Sequence, residues 1–171
     1  FLDAAKRLDI EVVLGMDVPA PMIDQLKCDL PLDYLNIEKS SEKIAAFAAK
    51  AKVDAILSAD DSATVLAAHA SQSLNLRHNS ADAAEAARDK FLMRQLFARA
   101  DVLSPNFLRF TLNDEPEEIA DLIPYPCVIK PRSMSGSRGV IRADSPIDFM
   151  KAYSRLKPIL QQGGADDFLV E

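Results

Sequence analysis

Lys130 is the residue whose surroundings most clearly suggest chemistry. It ends an apolar run, residues 125–129, and precedes a loop rich in serine and glycine, residues 132–139, and then a second apolar run at Val140. A lysine at a strand end beside such a loop offers a fixed positive charge and several backbone N–H groups, which suits nucleotide phosphates. The loop is not a Walker A loop, because no Gly-Lys-Ser/Thr opens a following helix. A plain hairpin needs roughly two to five loop residues, so we expect this longer loop to fold over a ligand as a flap.

The loop residues themselves carry donors for an anion. Serine side chains add hydroxyl donors to the backbone N–H groups, and the glycines permit positive φ or close approach of the backbone. Arg138 is a candidate for a phosphate or a substrate carboxylate, with a solvent-facing role as the alternative, and Met134 either packs on a ligand or covers the flap. The candidate ligand-binding residues of the loop are Ser133, Ser135, Gly136, Ser137, Arg138 and Gly139.

Two further segments carry charged residues at element ends. Residues 88–100 have helical spacing, with Lys90 near the start and Arg94 and Phe97 on the same side. Taken alone, Lys90 is typical of a surface helix. The last five residues, 167–171, read as an apolar strand that ends in Glu171.

In this order, the three segments resemble the nucleotide-binding elements of the ATP-grasp superfamily. Lys130 and its loop are similar to that family's lysine and glycine-rich loop, although serine and methionine stand here at positions that are often glycine in the family. The helix with Asp89-Lys90 looks like the helix carrying the first nucleotide-binding lysine, followed by a Val-x-x-Pro connection at residues 102–105. Residues 167–171 look like the hinge strand that contacts adenine.

The resemblance implies a function. Lys90, Lys130 and the loop are expected to bind the phosphates of ATP, and Val170 and Glu171 to contact adenine, largely through backbone groups. In this family a small carboxylate attacks the γ-phosphate, and the acyl phosphate is captured by an amine or a similar nucleophile. The family's Mg²⁺ ligands lie in the second half of the module, so we expect them beyond Glu171, with no catalytic or metal-binding residue among the 171. The chain alone is therefore predicted to be catalytically inert.

The element pattern predicts an α/β protein with two domains. Strands that alternate with helices through short loops indicate parallel βαβ units, so residues 1–80 are predicted to form an incomplete Rossmann-like domain that lacks its first strand. Residues 81–171 are predicted to be the first α+β subdomain of an ATP-grasp module, also incomplete. The chain reads as cut at both ends, within a helix at Phe1 and within a strand at Glu171. The strands predicted in the first domain are Glu11–Leu14, Tyr34–Ile37 and Val53–Leu57, and its helices are Glu42–Ala51 and Ser62–Leu74.

The second domain has its own predicted order of elements. Ser145-Pro146 is a typical helix start, with an N-cap followed by proline at the first helical position. The strands predicted here are Phe107–Phe110, a strand into Lys130, Val140–Arg142 and Phe168–Glu171, and the helices after residue 100 run to about Leu122 and from Pro146 to about Leu156.

Composition limits the classes of partner. With 49% hydrophobic and 27% charged residues the chain can bury a core, and a net charge of −6 disfavours nonspecific nucleic-acid binding. No apolar run approaches the roughly 20 residues that cross a bilayer. Cys28 and Cys127 lack the spacing of a zinc site. These features favour a cytoplasmic protein without nucleic-acid or membrane partners, and they leave its oligomeric state open.

Several alternatives remain at this level. A noncatalytic ATP-binding or regulatory module would keep the lysines and lack a metal site, and an unrelated α/β domain would carry the motifs by coincidence. Asp60-Asp61 follows a predicted strand and either caps the next helix or binds a substrate group, with capping favoured. His69 and His78 have no neighbouring nucleophile in the sequence and are expected to be structural. The substrates and the ATP-grasp branch (amino-acid ligase, or biotin carboxylase and carbamoyl-phosphate synthase) stay open.

Overall fold

The computed structural model describes residues 1–171. The chain separates into two units, residues 1–84 and residues 85–171, which are described separately below. The domain assignment from the sequence, 1–80 and 81–171, stays a prediction. None of the helices combines the length and the hydrophobicity that crossing a bilayer requires.

The first unit contains a small parallel sheet and helices that pack beside it. Strands β1 and β2 pair in parallel, with Gly15 opposite Leu30. Helices α2 and α3 contact each other through a buried cluster of Ile44, Leu66 and Ala70. The elements in this part of the chain are α1 (Leu2–Arg7), β1 (Gly15–Met16), β2 (Leu30–Pro31), α2 (Ile37–Ala48), α3 (Thr64–Ser73) and α4 (Ala81–Arg88), with 3₁₀ turns at Ala20–Met22 and Asp61–Ala63.

Element bounds in this unit differ from those predicted, for local reasons. The segment predicted as a strand at Tyr34–Ile37 is a turn followed by α2, because the Asp33 carboxylate accepts hydrogen bonds from the next backbone N–H groups and Asn36 caps the helix by accepting from Lys39 N at 3.1 Å. Such local side-chain bonds compete with a strand ladder. Residues 11–14 lie just before β1, and residues 53–57 are not part of either sheet. The apolar pattern alone therefore placed these strands wrongly.

The second unit is built on a four-stranded antiparallel sheet. The strand order is β3-β6-β4-β5, so the last strand of the chain lies between the first strand of the unit and the strand that carries Lys130. The elements are α5 (Lys90–Arg99), β3 (Leu108–Thr111), α6 (Pro116–Leu122), β4 (Cys127–Pro131), β5 (Ile141–Ala143), α7 (Pro146–Gln162) and β6 (Asp167–Val170). The predicted fold class, an incomplete parallel sheet followed by an α+β subdomain, is confirmed.

One face of this sheet forms the core of the unit. Along β4, burial alternates with a period of two, so Cys127 and Ile129 face the core while Val128 and Lys130 are less buried. Helices α6 and α7 cover the core face. The buried cluster contains Ile119, Ala120, Ile123, Cys127, Ile129, Ala143, Phe149, Ala152, Tyr153, Leu156, Leu160, Phe168 and Val170.

Helix α7 begins where the sequence predicts and ends later. Ser145 Oγ accepts a hydrogen bond from Asp148 N at 3.2 Å, and Pro146 occupies the first helical position. The helix continues past Pro158 to Gln162, about one and a half turns beyond the predicted end at Leu156. Leu160 is fully buried in the core cluster, so apolar burial extends the helix past the proline.

We predict that Leu156→Ala destabilises the second unit by about 2–5 kcal/mol, because it removes a fully buried side chain from the core. Leu122→Ala, which changes the same residue type at a helical position that is 68% exposed, should change the free energy of unfolding by less than about 0.5 kcal/mol. Urea unfolding followed by circular dichroism measures both. Equal effects of the two substitutions would contradict this assignment of the core.

Candidate functional site

The face of the sheet opposite the core carries a cluster of charged side chains. The period of two places Lys130 and Arg132 on this face of β4 and its extension, and it places Asp167 and Glu171 on the same face of β6. Helix α5 contacts this face through Arg94. We call this surface the charged face. Three of its charged residues were predicted from the sequence: Lys90, Lys130 and Glu171. The others were not.

The Glu171 carboxylate joins two cations from different elements. Lys130 Nζ donates to Glu171 Oε2 at 2.5 Å, and Arg94 Nε donates to Glu171 Oε1 at 2.8 Å. The exposed fractions of the three side chains are 12%, 14% and 8% for Lys130, Arg94 and Glu171. Ion pairs this well buried hold their partners in fixed positions, because separating them would leave an uncompensated charge.

The ionisation of Glu171 reflects this pairing. Burial alone would raise the pKa of its carboxyl, but the hydrogen bonds from Arg94 and Lys130 outweigh burial and hold the pKa below its ordinary value. Its backbone N–H and C=O both bond with Val128, at 3.0 and 2.6 Å. The carboxylate is therefore the part of Glu171 that faces the lysines, whereas a backbone contact with adenine, predicted for Val170 and Glu171, stays a prediction.

Lys90 is placed by the N-terminus of α5. Asp89 caps this helix by accepting hydrogen bonds from Phe91 N at 3.0 Å and Leu92 N at 3.1 Å, so Lys90 is the first helical residue. Its backbone N–H donates to Arg132 O at 3.1 Å. Its ammonium group donates to Met134 O at 2.6 Å, with Arg132 O at 3.4 Å. The acceptors are carbonyl groups of the loop rather than carboxylates.

The charge of Lys90 is not balanced by this environment. Burial lowers the pKa of its ammonium group, and the positive charges of Lys130 and Arg88 lower it further. Glu171 and Asp89 act in the opposite direction without cancelling the shift. The two lysines predicted from the sequence are thus close enough to repel each other, although they are 40 positions apart in the chain, and such a pair favours an anion between them.

The loop after β4 has three residues in the left-handed region. Gly136, Ser137 and Gly139 have φ of 65°, 57° and 73°. Arg138 N donates to Ser135 O at 3.4 Å and Val140 N donates to Ser137 O at 3.3 Å, which closes two successive turns. The serines and Arg138 are exposed, so their hydroxyl and guanidinium groups face the surroundings of the loop.

The two glycines of the loop differ in their contacts. A Cβ on Gly139 would lie 2.8 Å from Leu156 Cδ1 and 3.0 Å from Pro131 Cγ, whereas a Cβ on Gly136 would meet nothing within 4 Å. Met134, whose role the sequence left open, is partly buried and packs against the core cluster. The base of the loop is thus attached to the core, and its tip is not.

A second ion network on the charged face was missed at the sequence level. Arg132 binds both carboxylate oxygens of Asp89, with Nε donating at 2.8 and 2.9 Å, and its Nη1 donates to Asp167 Oδ2 at 2.9 Å. Arg109 Nε donates to the same oxygen of Asp167 at 2.9 Å. Both guanidinium groups lie near the ring of Phe91, at 5.6 and 5.9 Å from its centroid. The alternation along β4 would have placed Arg132 beside Lys130, but not its partners.

The remaining candidates have structural surroundings. Asp60 accepts a hydrogen bond from Ser62 N at 2.8 Å, which confirms capping of the turn that opens α3. His69 lies within α3, and His78 Nδ1 lies 2.7 Å from Leu76 O. The structure contains no group of three or more His, Cys, Asp or Glu side chains that could hold a metal ion.

Comparison with known proteins gives one sequence match, to a family model, and several structural matches. Residues 2–78 match the family model of the ATP-grasp N-terminal domain. No curated protein matches the chain in sequence.

Three solved structures illustrate the fold. The L-amino acid ligase from Bacillus licheniformis superposes with a TM-score of 0.66 at 19% identity, covering 98% of this chain and 39% of that one. The biotin carboxylase domain of the 2-oxoglutarate carboxylase from Hydrogenobacter thermophilus, solved with MgADP, ADP and bicarbonate, gives 0.62 at 19% identity over 99% of this chain and 40% of that one. N5-carboxyaminoimidazole ribonucleotide synthetase from Thermus thermophilus gives 0.58 at 19% identity over 98% and 42%. The chain therefore spans about two fifths of the length of each of these structures.

We predict that Gly139→Ala destabilises the second unit more than Gly136→Ala. Both substitutions force an alanine into positive φ at a cost of about 1 kcal/mol, but only at residue 139 does the new Cβ overlap Leu156 and Pro131, which adds about 1–3 kcal/mol. Urea unfolding of the two variants tests this. A larger loss of stability in Gly136→Ala would contradict the described attachment of the loop to the core.

Glu171 should make the stability of the chain depend on pH. Its folded pKa is below the unfolded value of about 4.3, so its stabilising contribution is present above that value and is lost as pH falls through the folded pKa. We expect the free energy of unfolding to fall less steeply between about pH 5 and pH 3 in Glu171→Gln than in the unmodified chain. Urea unfolding at a series of pH values measures the two slopes, and identical slopes would contradict this assignment.

Proposed function

Since the chain has the fold of the ATP-grasp superfamily, with an ATP-grasp N-terminal domain over residues 2–78, we propose that it is the nucleotide-gripping part of an ATP-dependent ligase. In this proposal Lys90, Lys130 and the loop of residues 133–139 bind the phosphates of ATP. The observation that carries it is that the Lys90 ammonium group donates to carbonyl groups of the loop that follows Lys130, where burial and then the charge of Lys130 lower its pKa.

The charges of the site suit a polyanion. Positive charge is in excess on the charged face, where three carboxylates meet five cations: Glu171, Asp89 and Asp167 against Lys90, Lys130, Arg94, Arg109 and Arg132. Moving a nucleotide triphosphate out of water requires such compensation together with hydrogen-bond donors. A phosphate oxygen that approaches Lys90 would replace carbonyl acceptors, Met134 O and Arg132 O, which bind an ammonium group less strongly than an anion does.

The loop after β4 would supply backbone N–H groups as further hydrogen-bond donors to the phosphates. The backbone N–H groups of Ser133, Ser135, Gly136 and Ser137 make no hydrogen bond to another protein group. Successive N–H groups in a loop with left-handed residues can converge on an anion. Arg138, exposed at the end of the loop, would add a charge to the phosphates or to a substrate carboxylate.

Adenine recognition is proposed for the end of β6. Val170 lies in register with Ile129 and Leu108, and the Glu171 backbone bonds with Val128. Because both backbone groups of Glu171 are paired with Val128, the hydrogen-bond acceptor that remains at the end of β6 is the Glu171 carboxylate, which lies beside Lys130. We expect it to accept from the base as well as from Lys130 and Arg94, which goes beyond the backbone contact predicted from the sequence.

Magnesium is proposed as a companion of ATP. When bound with ATP it would neutralise part of the negative charge of the phosphates. Its ligands are carboxylate or amide oxygens, and the acidic residues of the charged face are taken by arginine and lysine partners. We therefore expect the metal ligands in the part of a longer protein that corresponds to the rest of the solved structures.

The proposed reaction follows from the resemblance to ATP-grasp ligases. A small carboxylate would attack the γ-phosphorus of ATP with ADP as the leaving group, and an amine or a similar nucleophile would then attack the acyl carbon and release inorganic phosphate. The role of these 171 residues in that sequence is to hold the nucleotide in place and to stabilise its charge, so we expect no turnover from the chain alone. A noncatalytic ATP-binding or regulatory module would use the same lysines, and only turnover by a longer protein separates it from a ligase.

Nucleotide affinity is the measurement that tests this proposal. We expect Lys130→Ala and Lys90→Ala each to weaken ATP binding to the 171-residue chain by about ten- to a hundredfold, the loss of a hydrogen bond to a charged group. Lys90→Ala should weaken binding of ATP more than that of adenosine, because its partner is a phosphate. Isothermal titration calorimetry measures these affinities.

Lys151→Ala serves as the matched control, since Lys151 is 70% exposed on α7 and pairs with Asp148 on the surface. It should leave ATP affinity unchanged. Equal ATP affinity in all three variants and the unmodified chain would favour an unrelated α/β domain with coincidental motifs, and so would a folded chain that does not bind ATP.

A further inference from the structure

Arg132 connects three elements of the second unit, β4, α5 and β6. It follows β4 directly, two residues after Lys130. Its guanidinium group binds Asp89 at the start of α5 and Asp167 at the start of β6. Its carbonyl group accepts from Lys90 N at 3.1 Å. No sequence motif or resemblance assigns it a role.

The contacts of Arg132 define where Lys90 lies. Asp89 fixes the first turn of α5 by accepting from Phe91 N and Leu92 N, and Arg132 fixes Asp89 through both carboxylate oxygens. The backbone of Lys90 is therefore tied to residue 132 twice, through its own N–H and through its neighbour. A displacement of Arg132 would move the lysine away from the loop and from Lys130.

We infer that Arg132 is a positioning residue for nucleotide binding, which holds Lys90 at the distance from Lys130 that a phosphate group requires. This inference rests on the function proposed above. The alternative is that the network only attaches α5 to the sheet, as any partly buried ion pair does, with no effect on how phosphate is bound.

The fork shape of the guanidinium group is essential to this role. One planar group bridges two carboxylates on different elements, 43 and 35 positions away in the sequence. A lysine ammonium is a compact charge that does not reproduce a bidentate contact with Asp89 together with a second contact, in another direction, with Asp167. Lysine at position 132 would keep the charge of the site and lose the geometry.

Two substitutions separate geometry from charge and from helix capping. Arg132→Lys keeps the positive charge, and Asp89→Asn keeps a side-chain oxygen that caps α5 while removing the negative charge that Arg132 binds. We expect each to weaken ATP binding to the 171-residue chain on the order of tenfold, the loss of a charge-assisted contact. The control is Arg142→Lys, which alters an exposed Arg142–Asp144 pair on β5 and should leave ATP affinity unchanged.

A double-mutant cycle with Lys90→Ala distinguishes positioning of Lys90 from a merely structural role, because only positioning makes the two effects on ATP affinity depend on each other. If Arg132 acts through Lys90, Arg132→Lys should weaken ATP binding by less than about twofold once Lys90 is alanine, because the effects of coupled residues do not add. An equal loss in both backgrounds would overturn the inference, as would unchanged affinity in Arg132→Lys and Asp89→Asn.

Amide exchange without nucleotide distinguishes failure of this inference from failure of the proposed function. The N–H of Lys90 should exchange on the order of tenfold faster in Arg132→Lys and Asp89→Asn, while protection of the β4–β6 ladder at Ile129 stays the same. A chain that is folded and binds no ATP would overturn the proposed function, and with it a role for Arg132 in nucleotide binding. Unchanged exchange at Lys90 would overturn the positioning of Lys90 whether or not ATP binds.

Discussion

The pairing of buried cations with carboxylates on one face of the antiparallel sheet is the interaction on which the second unit depends. Lys130 and Arg94 are both largely buried and share the carboxylate of Glu171. Without that carboxylate, two desolvated positive charges would face each other, at a cost of several kcal/mol. The pairing also fixes the order of the sheet, because β6 must lie beside β4 for Glu171 to reach Lys130. Charge balance and strand order thus support each other, and the core on the opposite face follows from the same register.

The charged face contains two kinds of positive charge. The first kind donates to carboxylates of the chain itself and comprises Arg94, Lys130, Arg109 and Arg132. These ion pairs hold the side chains in place and partly neutralise their charge. Lys90 differs, because its acceptors are carbonyl groups. The four paired cations already outnumber their three carboxylate partners, and Lys90 adds one more positive charge that has no carboxylate acceptor. In the proposed function, these ion pairs would hold the charged face in place before ATP binds, which would lower the entropic cost of binding.

Local patterns predicted the elements that carry Lys90 and Lys130 better than they predicted the partners of the charged side chains. The sequence predicted Lys130 near the end of an apolar strand and Lys90 near the start of a helix, because both features depend on neighbours in the sequence, and the structure has both. The partner of Arg94 is 77 positions away and that of Arg132 is 35 or 43 positions away. Such pairs follow from strand order, which periodicity does not encode. In the first unit the same limitation appears as apolar runs, such as residues 53–57, that belong to no sheet, since apolar content without a pairing partner does not make a strand.

The two glycines of the loop after β4 differ in how strongly packing restricts substitution around them. Gly139 lies against Leu156 and Pro131, so its identity is tied to the packing of the core, whereas the tip around Gly136 borders open space. Exposed residues beside Gly136, such as Ser135 and Arg138, can be exchanged for larger or differently charged ones without steric overlap, whereas Gly136 itself is favoured by its positive φ. A lineage with this framework can therefore alter what the loop covers while the residues that support it stay the same, which separates the divergence of ligand preference from the maintenance of stability.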